Sequence, residues 1–488
     1  MSMTALPDSF RERMITMLGE REGQTFLNSY AMPRTYGLRI NTLKIKPGSP
    51  AERDIIQRFG LEGIPWCEDG FYYDEDKRPG KHAYHAAGLY YIQEPSAMSA
   101  VELLNPQPGE TVLDLAAAPG GKTTQIAMKM NGKGLLISNE IHPQRAKILA
   151  ENVERFGVRN AVVTQAAPGE LSSRFPLAFD RIMLDAPCSG EGMFRKDPDA
   201  IAEWSEQSVE FCAARQWDIL QDAVAMLKPG GQLAYSTCTF NREENEETIA
   251  RLLAHYPDLT LVAEKRIWPH RHKGEGHYVA LLQRKSRVDE KPGALAASSP
   301  AFRAEPDKAR PKSKPHGKKR SNGKNSERNT TAAFEAFTDW AESEIPGFGG
   351  WLGDRAGEGI PILFGESLYL LPFSTELHLT PDILAGLKIP RAGLQLGDYK
   401  KGRFQPAHAL AMAIRPADAA LTWTLKPDSS ELAAYLHGDT LAVPADYRGW
   451  CLVRVECGGD SFPLGWGKAS GGQLKNHLPK GLRQQLPV

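Results

Sequence analysis

The sequence predicts an α/β protein whose core is a mostly parallel sheet covered by helices on both faces. Between residues 86 and 286, short apolar segments alternate with longer amphipathic ones, which is the pattern of strands and helices in turn. Several apolar segments run directly into glycine-rich or polar turns, as strands do at the carboxyl edge of such a sheet. The predicted strand cores are 111–113, 134–138, 161–164, 181–184, 232–235 and 277–282, and two of the predicted helices are 143–156 and 208–227.

Composition limits the class of protein. A chain of 488 residues corresponds to roughly three domains, and 41% hydrophobic with 24% charged residues is ordinary for a globular protein. The net charge is zero, so attraction to nucleic acid would need a local basic patch. Six cysteines without a CxxC pair predict neither a disulfide framework nor a metal site. Because no segment looks like a signal peptide or a membrane span, we expect a cytoplasmic protein with no membrane partner. Nothing in the sequence demands more than a monomer.

The segment before the α/β core, residues 1–85, is predicted to be a small α+β unit. Its apolar residues alternate between the helical period of about 3.6 and the strand period of two. The predicted helices are 10–18 and 51–59, and the predicted strands are 36–43 and 70–73.

The segment after the core, residues 287–331, is predicted to be a disordered linker. Apolar residues nearly vanish there, and 308–328 carry nine basic residues against one acid. Such a composition buries too little surface to offset the entropy of ordering. It is either a solvated tether or one that attracts phosphate. From 332 to 488 the chain is globular again, with a helix over 332–345 followed by short segments typical of β-rich units.

A glycine-rich turn over 114–123 follows the strand at 111–113, and two common phosphate-binding patterns do not fit it. A dinucleotide fingerprint needs G-x-G-x-x-G, which the turn lacks. A P-loop needs a glycine where this chain has Ala116, and Pro119 removes one backbone donor from any phosphate nest.

A third interpretation of this turn is a site for S-adenosylmethionine. Asp114 ends the strand, and Gly120 and Gly121 begin a helix whose N-terminus can meet a carboxylate such as that of this cofactor. Glu140 follows the next strand, at the place where dinucleotide folds hold a ribose diol. The turn and Glu140 together favour this interpretation over the other two.

Two cysteines follow predicted strands and should face a cleft. Cys188 lies in the run Asp-Ala-Pro-Cys-Ser-Gly that begins at Asp185, and Cys238 lies in Ser-Thr-Cys-Thr. Two such thiols beside a carboxyl suit addition and elimination on a pyrimidine, in which a thiolate adds to carbon 6 and a carboxyl at ring N3 stabilises charge. The remaining cysteines are predicted to be inert core residues: Cys67, Cys212, Cys451 and Cys457.

These motifs resemble the Sun-type family of RNA cytosine-5 methyltransferases. The paired Ala-Pro-Cys and Thr-Cys contexts are the most specific part of the resemblance, which extends over nearly the whole chain. It rests on the segments 39–42, 93–96, 114–123, 185–192, 236–238, 276–281, 464–468 and 474–477.

The resemblance implies roles for individual residues. Cys238 would be the nucleophile, Cys188 would assist product release, and Asp185 would contact the cytosine ring and the surroundings of the cofactor. Arg39 and Asn41 would help to order the site from the N-terminal unit. The residues implied to hold the methionine part of S-adenosylmethionine are Ala116, Ala117, Ala118, Pro119, Gly120, Gly121 and Lys122, and Glu140 is implied to hold its ribose.

One position departs from the family. An Asp that contacts the adenine end is usual after the third strand, and by position it is replaced here by Ala167. The Gln165 amide or backbone groups are expected to take over that contact.

The resemblance also implies the domain layout and the substrate. It implies a Rossmann-like methyltransferase core at 86–286, preceded by an RNA-docking unit at 1–85 and followed by an extension at 332–390 and a PUA-like RNA-binding domain at 391–488. Basic and aromatic residues interleave at 399–404, where Tyr399 or Phe404 could stack on a base.

The implied substrate is a cytosine of 16S ribosomal RNA, within the small ribosomal subunit. Two alternatives remain: a transfer RNA cytosine-5 methyltransferase, and a catalytically silent RNA-binding assembly factor.

Overall fold

The computed structural model of the protein describes residues 6–286, 322–348, 359–372, 374, 377 and 379–484. Within these residues the chain forms four sheets, and the largest, of eight strands, confirms the predicted α/β core. No helix in the described ranges is both long and apolar enough to span a bilayer.

The N-terminal unit consists of α1 (Asp8–Leu18), α2 (Glu20–Ser29), β1 (Gly37–Ile40), α3 (Pro50–Phe59), β2 (Glu62–Ile64), β3 (Cys67–Tyr72), α4 (Ala83–Ala86) and β4 (Tyr90–Ile92). The strands form an antiparallel sheet in the order β2-β3-β1-β4. Sequence periodicity did not predict α2, which packs tightly on α1. A Cβ at Gly23 would lie 2.8 Å from the Ile15 Cα, so glycine permits this close approach.

The central domain contains α5 (Ser99–Leu104), β5 (Thr111–Asp114), α6 (Gly121–Lys129), β6 (Leu135–Asn139), α7 (Pro143–Phe156), β7 (Ala161–Gln165), α8 (Pro168–Arg174), β8 (Phe179–Asp185), α9 (Pro198–Glu203), α10 (Glu206–Met226), β9 (Leu227–Thr237), α11 (Glu246–His255), β10 (Leu259–Ile267) and β11 (His277–Arg284). The strands β9-β8-β5-β6-β7 are parallel neighbours, and β11 and then β10 extend the sheet in antiparallel fashion. Successive side chains point to opposite faces, so Val112 and Leu113 belong to two separate hydrophobic clusters, one on each face.

The first part of the C-terminal region contains α12 (Asn322–Glu344), β12 (Gly359–Phe364), β13 (Ser367–Pro372), α13 (Pro381–Leu384), β14 (Lys388–Ala392), β15 (Leu394–Lys400), β16 (Arg403–Pro406) and α14 (His408–Ala413). Four of these strands form the antiparallel sheet β12-β13-β15-β16. The strand β14 leaves that sheet and pairs antiparallel with β7, placing Arg391 opposite Val163. The central sheet therefore has the order β10-β11-β9-β8-β5-β6-β7-β14, and the predicted boundary between 390 and 391 falls inside β14.

The predicted linker, 287–331, overlaps this region. Its residues 287–321 lie outside the described part of the chain, but its last ten residues belong to α12. The buried Ala333, Phe337 and Ala341 pack α12 onto the sheet β12-β13-β15-β16. That packing stabilises a helix that continues into the polar sequence before it, where composition alone predicted disorder.

The last part of the chain contains β17 (Thr422–Leu425), α15 (Ser430–His437), β18 (Leu441–Ala442), β19 (Gly449–Cys457), β20 (Asp460–Ser470) and β21 (Gln473–Asn476). They form a five-stranded sheet in the order β17-β19-β20-β21-β18. This sheet packs on the N-terminal unit, and the two share one hydrophobic cluster. The Cys457 Sγ lies 3.5 Å from the Ala51 carbonyl oxygen, and Arg58 forms a 2.7 Å ion pair with Asp428 across the contact. The N-terminal unit and the last sheet are therefore in direct contact.

Candidate active site

The carboxyl ends of β5, β8 and β9 lie side by side at one edge of the central sheet. The strand register places Asp114 opposite Met183 and Asp185 opposite Ser236. The glycine-rich turn and the two cysteine-bearing turns therefore converge at this edge, where open α/β sheets bind their ligands.

The glycine-rich turn holds a buried carboxyl with one unpartnered oxygen. Asp114 is fully buried, and its Oδ2 accepts a 2.6 Å hydrogen bond from the Thr123 hydroxyl in α6. Its Oδ1 has no hydrogen-bond partner among the described residues. Burial raises the pKa of Asp114 to about 7. A buried acceptor without a partner beside such a turn can be satisfied by a donor group of a ligand.

An ion pair links the glycine-rich turn to the first cysteine turn. The Lys122 ammonium lies 2.7 Å from the Asp185 Oδ2, and the Ser236 hydroxyl donates a 2.8 Å hydrogen bond to Oδ1. Burial opposes ionisation of Asp185, but the interactions with its neighbours, led by the charge of Lys122, together outweigh it, and the pKa of Asp185 lies below its usual value. Asp185 is therefore a carboxylate at neutral pH, able to accept hydrogen bonds but not to donate one.

The N-terminal unit contacts the glycine-rich turn through Arg39, which is fully buried. Its guanidinium donates 2.8 Å hydrogen bonds to the Gly121 carbonyl and to the Thr124 hydroxyl. Asn41 lies farther from the turn and donates to the carbonyls of Gly88 and Phe156. The structure thus brings Arg39 to the turn, whereas Asn41 fastens the N-terminal unit to α7.

Glu140 lies directly after β6, with 3% of its surface exposed. The His142 backbone N–H donates a 2.9 Å hydrogen bond to Oε1, and Arg145 lies 3.4 Å from Oε2. The preceding residue, Asn139, was missed by sequence reasoning. Its side-chain amide donates to the carbonyls of Leu115 and Ala166, so it joins the turns that follow three neighbouring strands.

Gln165 ends β7 on the same edge of the sheet, next to Glu140. Its amide donates a long 3.4 Å hydrogen bond to the Ile141 carbonyl. Ala167 precedes α8 and supplies no polar side chain. Because Ala167 has no polar side chain, Gln165 is the residue that offers a side-chain amide at the end of β7.

The two cysteine side chains meet. The sulfur atoms of Cys188 and Cys238 lie 3.3 Å apart, and both thiols are free and partly exposed. The hydrogen bond with Cys238, together with burial, raises the pKa of Cys188 well above the usual value for a thiol. Cys188 therefore carries its proton at neutral pH.

A buried carboxylate, Glu244, ties the two cysteine turns together and was also missed by sequence reasoning. Its Oε2 accepts from the Ser189 backbone N–H at 3.0 Å and from the Gln216 amide at 2.7 Å. Its Oε1 accepts from the Ser189 hydroxyl and from the Asn241 amide. Burial raises the pKa of Glu244. In the sequence, Glu244 belongs to a charged run that resembles a solvated helix start.

The two C-terminal aromatic residues singled out in the sequence, Tyr399 and Phe404, are both half-buried. Phe404 packs against Phe337 and Trp340, with ring centroids 5.3 Å from each, and its stacking on a base stays a prediction. Tyr399 packs partly buried on the same cluster. On the last sheet, the exposed Lys468 lies 5.4 Å above the ring of Trp450.

The chain matches four family descriptions along its length. The central domain matches 16S rRNA methyltransferase RsmB/F over residues 101–283, and residues 6–95 match the N-terminal domain of 16S rRNA methyltransferase RsmF. The first C-terminal domain of the RsmF rRNA methyltransferase matches residues 351–414, and the methyltransferase RsmF PUA domain matches 423–484.

Relatives extend the similarity to the whole chain. The ribosomal RNA small subunit methyltransferase F of Shewanella loihica is 34% identical over 94% of this chain and 91% of its own length. That of Erwinia tasmaniensis is 32% identical over 99% of this chain and 97% of its own. A solved methyltransferase homolog from Pyrococcus horikoshii matches with a TM-score of 0.50 at 30% identity, covering 57% of this chain and 95% of that one. The protein is a methyltransferase, and its chain belongs to the ribosomal RNA small subunit methyltransferase F family.

Proposed function

We propose that this protein methylates carbon 5 of one cytosine in 16S ribosomal RNA, within the small ribosomal subunit, through a covalent adduct with Cys238. The observation that carries this proposal is the pair of thiols 3.3 Å apart at the edge that also holds the carboxylate Asp185. The names of the relatives, which state a small-subunit ribosomal RNA substrate, support the choice of RNA.

The residues at the ends of β5 and β6 fit S-adenosylmethionine. The unpartnered Oδ1 of Asp114 offers a buried acceptor, and Gly120 has a φ of +115°, which side chains other than glycine rarely adopt, so the turn before α6 requires glycine there. Residues 116–122 would hold the methionine part and Glu140 the ribose. Gln165 or backbone groups would contact the adenine. The bound cofactor would supply the methyl group.

The reaction at the base begins when the Cys238 thiolate bonds to carbon 6. Electrons of the C5–C6 double bond move into the ring, and carbon 5 becomes nucleophilic and takes the methyl group. A base then removes the carbon 5 proton, the double bond forms again and the bond from carbon 6 to sulfur breaks. Cys188 lies close enough to Cys238 to assist this last step.

The target base must leave its stack to reach two thiols in a cleft. The N-terminal unit and the last sheet share one hydrophobic cluster, so they form one continuous body beside the central domain. We assign RNA docking to this body, and the exposed Lys468 and Lys475 supply positive charge on it.

The test is a methyl transfer assay with purified protein and methyl-labelled S-adenosylmethionine. The RNA substrates are small ribosomal subunits from cells that lack this enzyme and, separately, bulk transfer RNA. Nucleoside mass spectrometry should find 5-methylcytosine in the ribosomal RNA. Label only in transfer RNA would move the substrate to the first alternative. No label on either, despite measurable cofactor binding, would favour an RNA-binding assembly factor.

A further inference from the structure

One polar atom at this edge of the sheet has no role in the reaction described above. His277 begins β11, and its side chain is 3% exposed. Its Nε2 is buried and makes no hydrogen bond with any described residue. The Asp185 Oδ1 lies 3.9 Å away, which is longer than a hydrogen bond. Leaving a buried polar group unsatisfied is costly, so a partner from outside the protein is expected.

The strand pairing places His277 beside the nucleophile. Tyr278 lies opposite Thr237 in the antiparallel pair of β11 and β9, so the next step along both strands brings His277 level with Cys238. The loops around it are in close contact. A Cβ at Gly192 would lie 2.8 Å from the Cys238 carbonyl oxygen and 3.0 Å from that of Gly276. His277 therefore lies beside the turn that carries Cys238.

The protonation of His277 makes its free nitrogen a donor. Burial, with a contribution from the charge of Lys122, lowers the pKa of His277 to about 4, so the ring is neutral at pH 7. A neutral imidazole carries one N–H. The nearby carboxylate of Asp185 favours the tautomer with the proton on Nε2, because the positive end of that N–H then points towards the negative charge.

Asp185 and His277 therefore present an acceptor and a donor side by side. Lys122 and Ser236 hold Asp185 as a carboxylate, which can only accept. Cytosine offers the complementary edge, since its exocyclic amine donates and the adjacent ring N3 accepts. Uracil reverses this order, with a carbonyl oxygen in place of the amine and an N–H at N3. Its oxygen would face the acceptor Asp185, and its N–H would face the donor His277.

We propose that His277 selects cytosine over uracil, with its Nε2–H donating to ring N3 while Asp185 accepts from the exocyclic amine. This inference rests on the proposed cytosine-5 methylation. The same donor acts in the first chemical step: when the Cys238 sulfur bonds to carbon 6, electrons move through carbons 5 and 4 towards N3. A hydrogen bond at N3 stabilises that negative charge, and no proton has to leave His277.

Two substitutions test the hydrogen-bond donor of His277 separately from the volume of its ring. His277→Phe keeps a planar ring without a donor, and His277→Gln restores an N–H at a similar reach. Loss of one donor that stabilises developing charge lowers rates by about 10²–10³-fold. We expect His277→Phe to lower kcat on unmethylated small subunits by that order, with unchanged affinity for S-adenosylmethionine, and His277→Gln to recover most of the loss.

A matched control is available in the central domain, in the segment between β10 and β11. The His270 side chain is 4% exposed, its Nδ1 is unpartnered among the described residues, and its Nε2 lies 3.0 Å from Glu22 of α2. His270→Phe should therefore leave kcat unchanged. If His277→Phe does not fold, His277→Met replaces it, because methionine also lacks a donor and adapts to irregular space.

The selectivity is measured on small subunits reconstituted with a transcript that carries cytidine or uridine at the target position. The preference for cytidine should fall at least about tenfold in the donor-free variant. A folded donor-free variant that keeps the wild-type kcat and preference would overturn the role of His277 while leaving the proposed function intact. A glutamine variant as slow as the donor-free one would also overturn it. Wild-type protein that methylates no RNA cytosine would instead remove the proposed function itself.

Discussion

Cys188 and Cys238 are fifty residues apart in the chain, yet their sulfur atoms lie 3.3 Å from each other. Each cysteine follows a different strand within three residues, and the parallel pairing of β8 with β9 brings the two strand ends together. The contact, together with burial, raises the pKa of Cys188, so this thiol keeps its proton at neutral pH. Two sulfur atoms at this distance can both reach one base.

The first prediction concerns the proposed roles of these two cysteines. Cys238→Ala should abolish methyl transfer, because no thiolate remains to bond to carbon 6. Cys188→Ala should allow methylation but slow release, so that a covalent complex of protein and RNA accumulates and is seen on a denaturing gel. Cys212→Ala, in α10, should do neither. The absence of an adduct in Cys188→Ala would contradict the release role.

A second prediction concerns the network around Glu244. Both oxygens of Glu244 accept hydrogen bonds, whereas glutamine has one oxygen and one NH2 group. If the NH2 group of Glu244→Gln takes the place of Oε2, it faces the Ser189 N–H and the Gln216 amide, which are donors. If it takes the place of Oε1, it faces the Ser189 hydroxyl and the Asn241 amide. Each buried donor left unsatisfied costs about 1–3 kcal/mol. We expect a lower midpoint in thermal unfolding and a lower kcat.

The neighbouring substitution Glu243→Gln is the control for this network. Glu243 is 40% exposed and pairs with Arg13, and such surface pairs contribute about 0–1 kcal/mol. Equal effects of the two substitutions on unfolding and on kcat would mean that Glu244 does not order the cysteine turns.

A third prediction gives a pH dependence. The pKa of Asp114 is about 7 in the folded protein because of burial, against a usual value near 4 when unfolded. The folded state therefore binds more protons between these values, and stability is lost as pH rises from about 4 to about 7. Asp114→Asn cannot ionise. Without ligand, the free energy of unfolding of the Asp114→Asn variant should rise relative to that of the wild type by an amount on the order of 2 kcal/mol between pH 5 and pH 8. A constant difference would show that Asp114 titrates normally.

A fourth prediction uses two adjacent glycines after β19. Both have positive φ, +58° at Gly458 and +87° at Gly459. A Cβ at Gly458 would lie 2.4 Å from the Pro50 carbonyl oxygen in the N-terminal unit, whereas a Cβ at Gly459 meets nothing within 4 Å. Alanine costs about 1–2 kcal/mol at either position for backbone strain, and Gly458→Ala should cost more because it also separates the two units. Urea unfolding measures both, and equal costs would mean that the contact is easily adjusted.

Much of the central domain could be predicted because its strands are buried on both faces. The helix over 143–156 was predicted with the bounds that the structure has. The strand β10 was not predicted, since it is an edge strand with mostly exposed residues, and its alternation is weak. The strand β14 was missed for a different reason. Its partner, β7, is far away in the sequence, and local pattern does not carry that pairing.

The site was predictable where a residue type has a restricted chemistry. Two cysteines and an aspartate that follow neighbouring strands are predicted to lie together once the sheet is known. Glu244 and His277 were not found, because a glutamate in a charged run and a histidine at a strand start are ordinary in a sequence. Their importance comes from burial and from partners on other turns, which only the folded chain reveals.

The pairing of β14 with β7 also affects the order in which the protein can be assembled. Translation completes β7 at residue 165, but the strand that covers its edge ends at residue 392. Until then, the nascent central domain carries a row of unpaired backbone groups that can pair with another chain. A fragment that stops at residue 286 keeps this edge permanently, so we expect it to aggregate where the full-length chain does not.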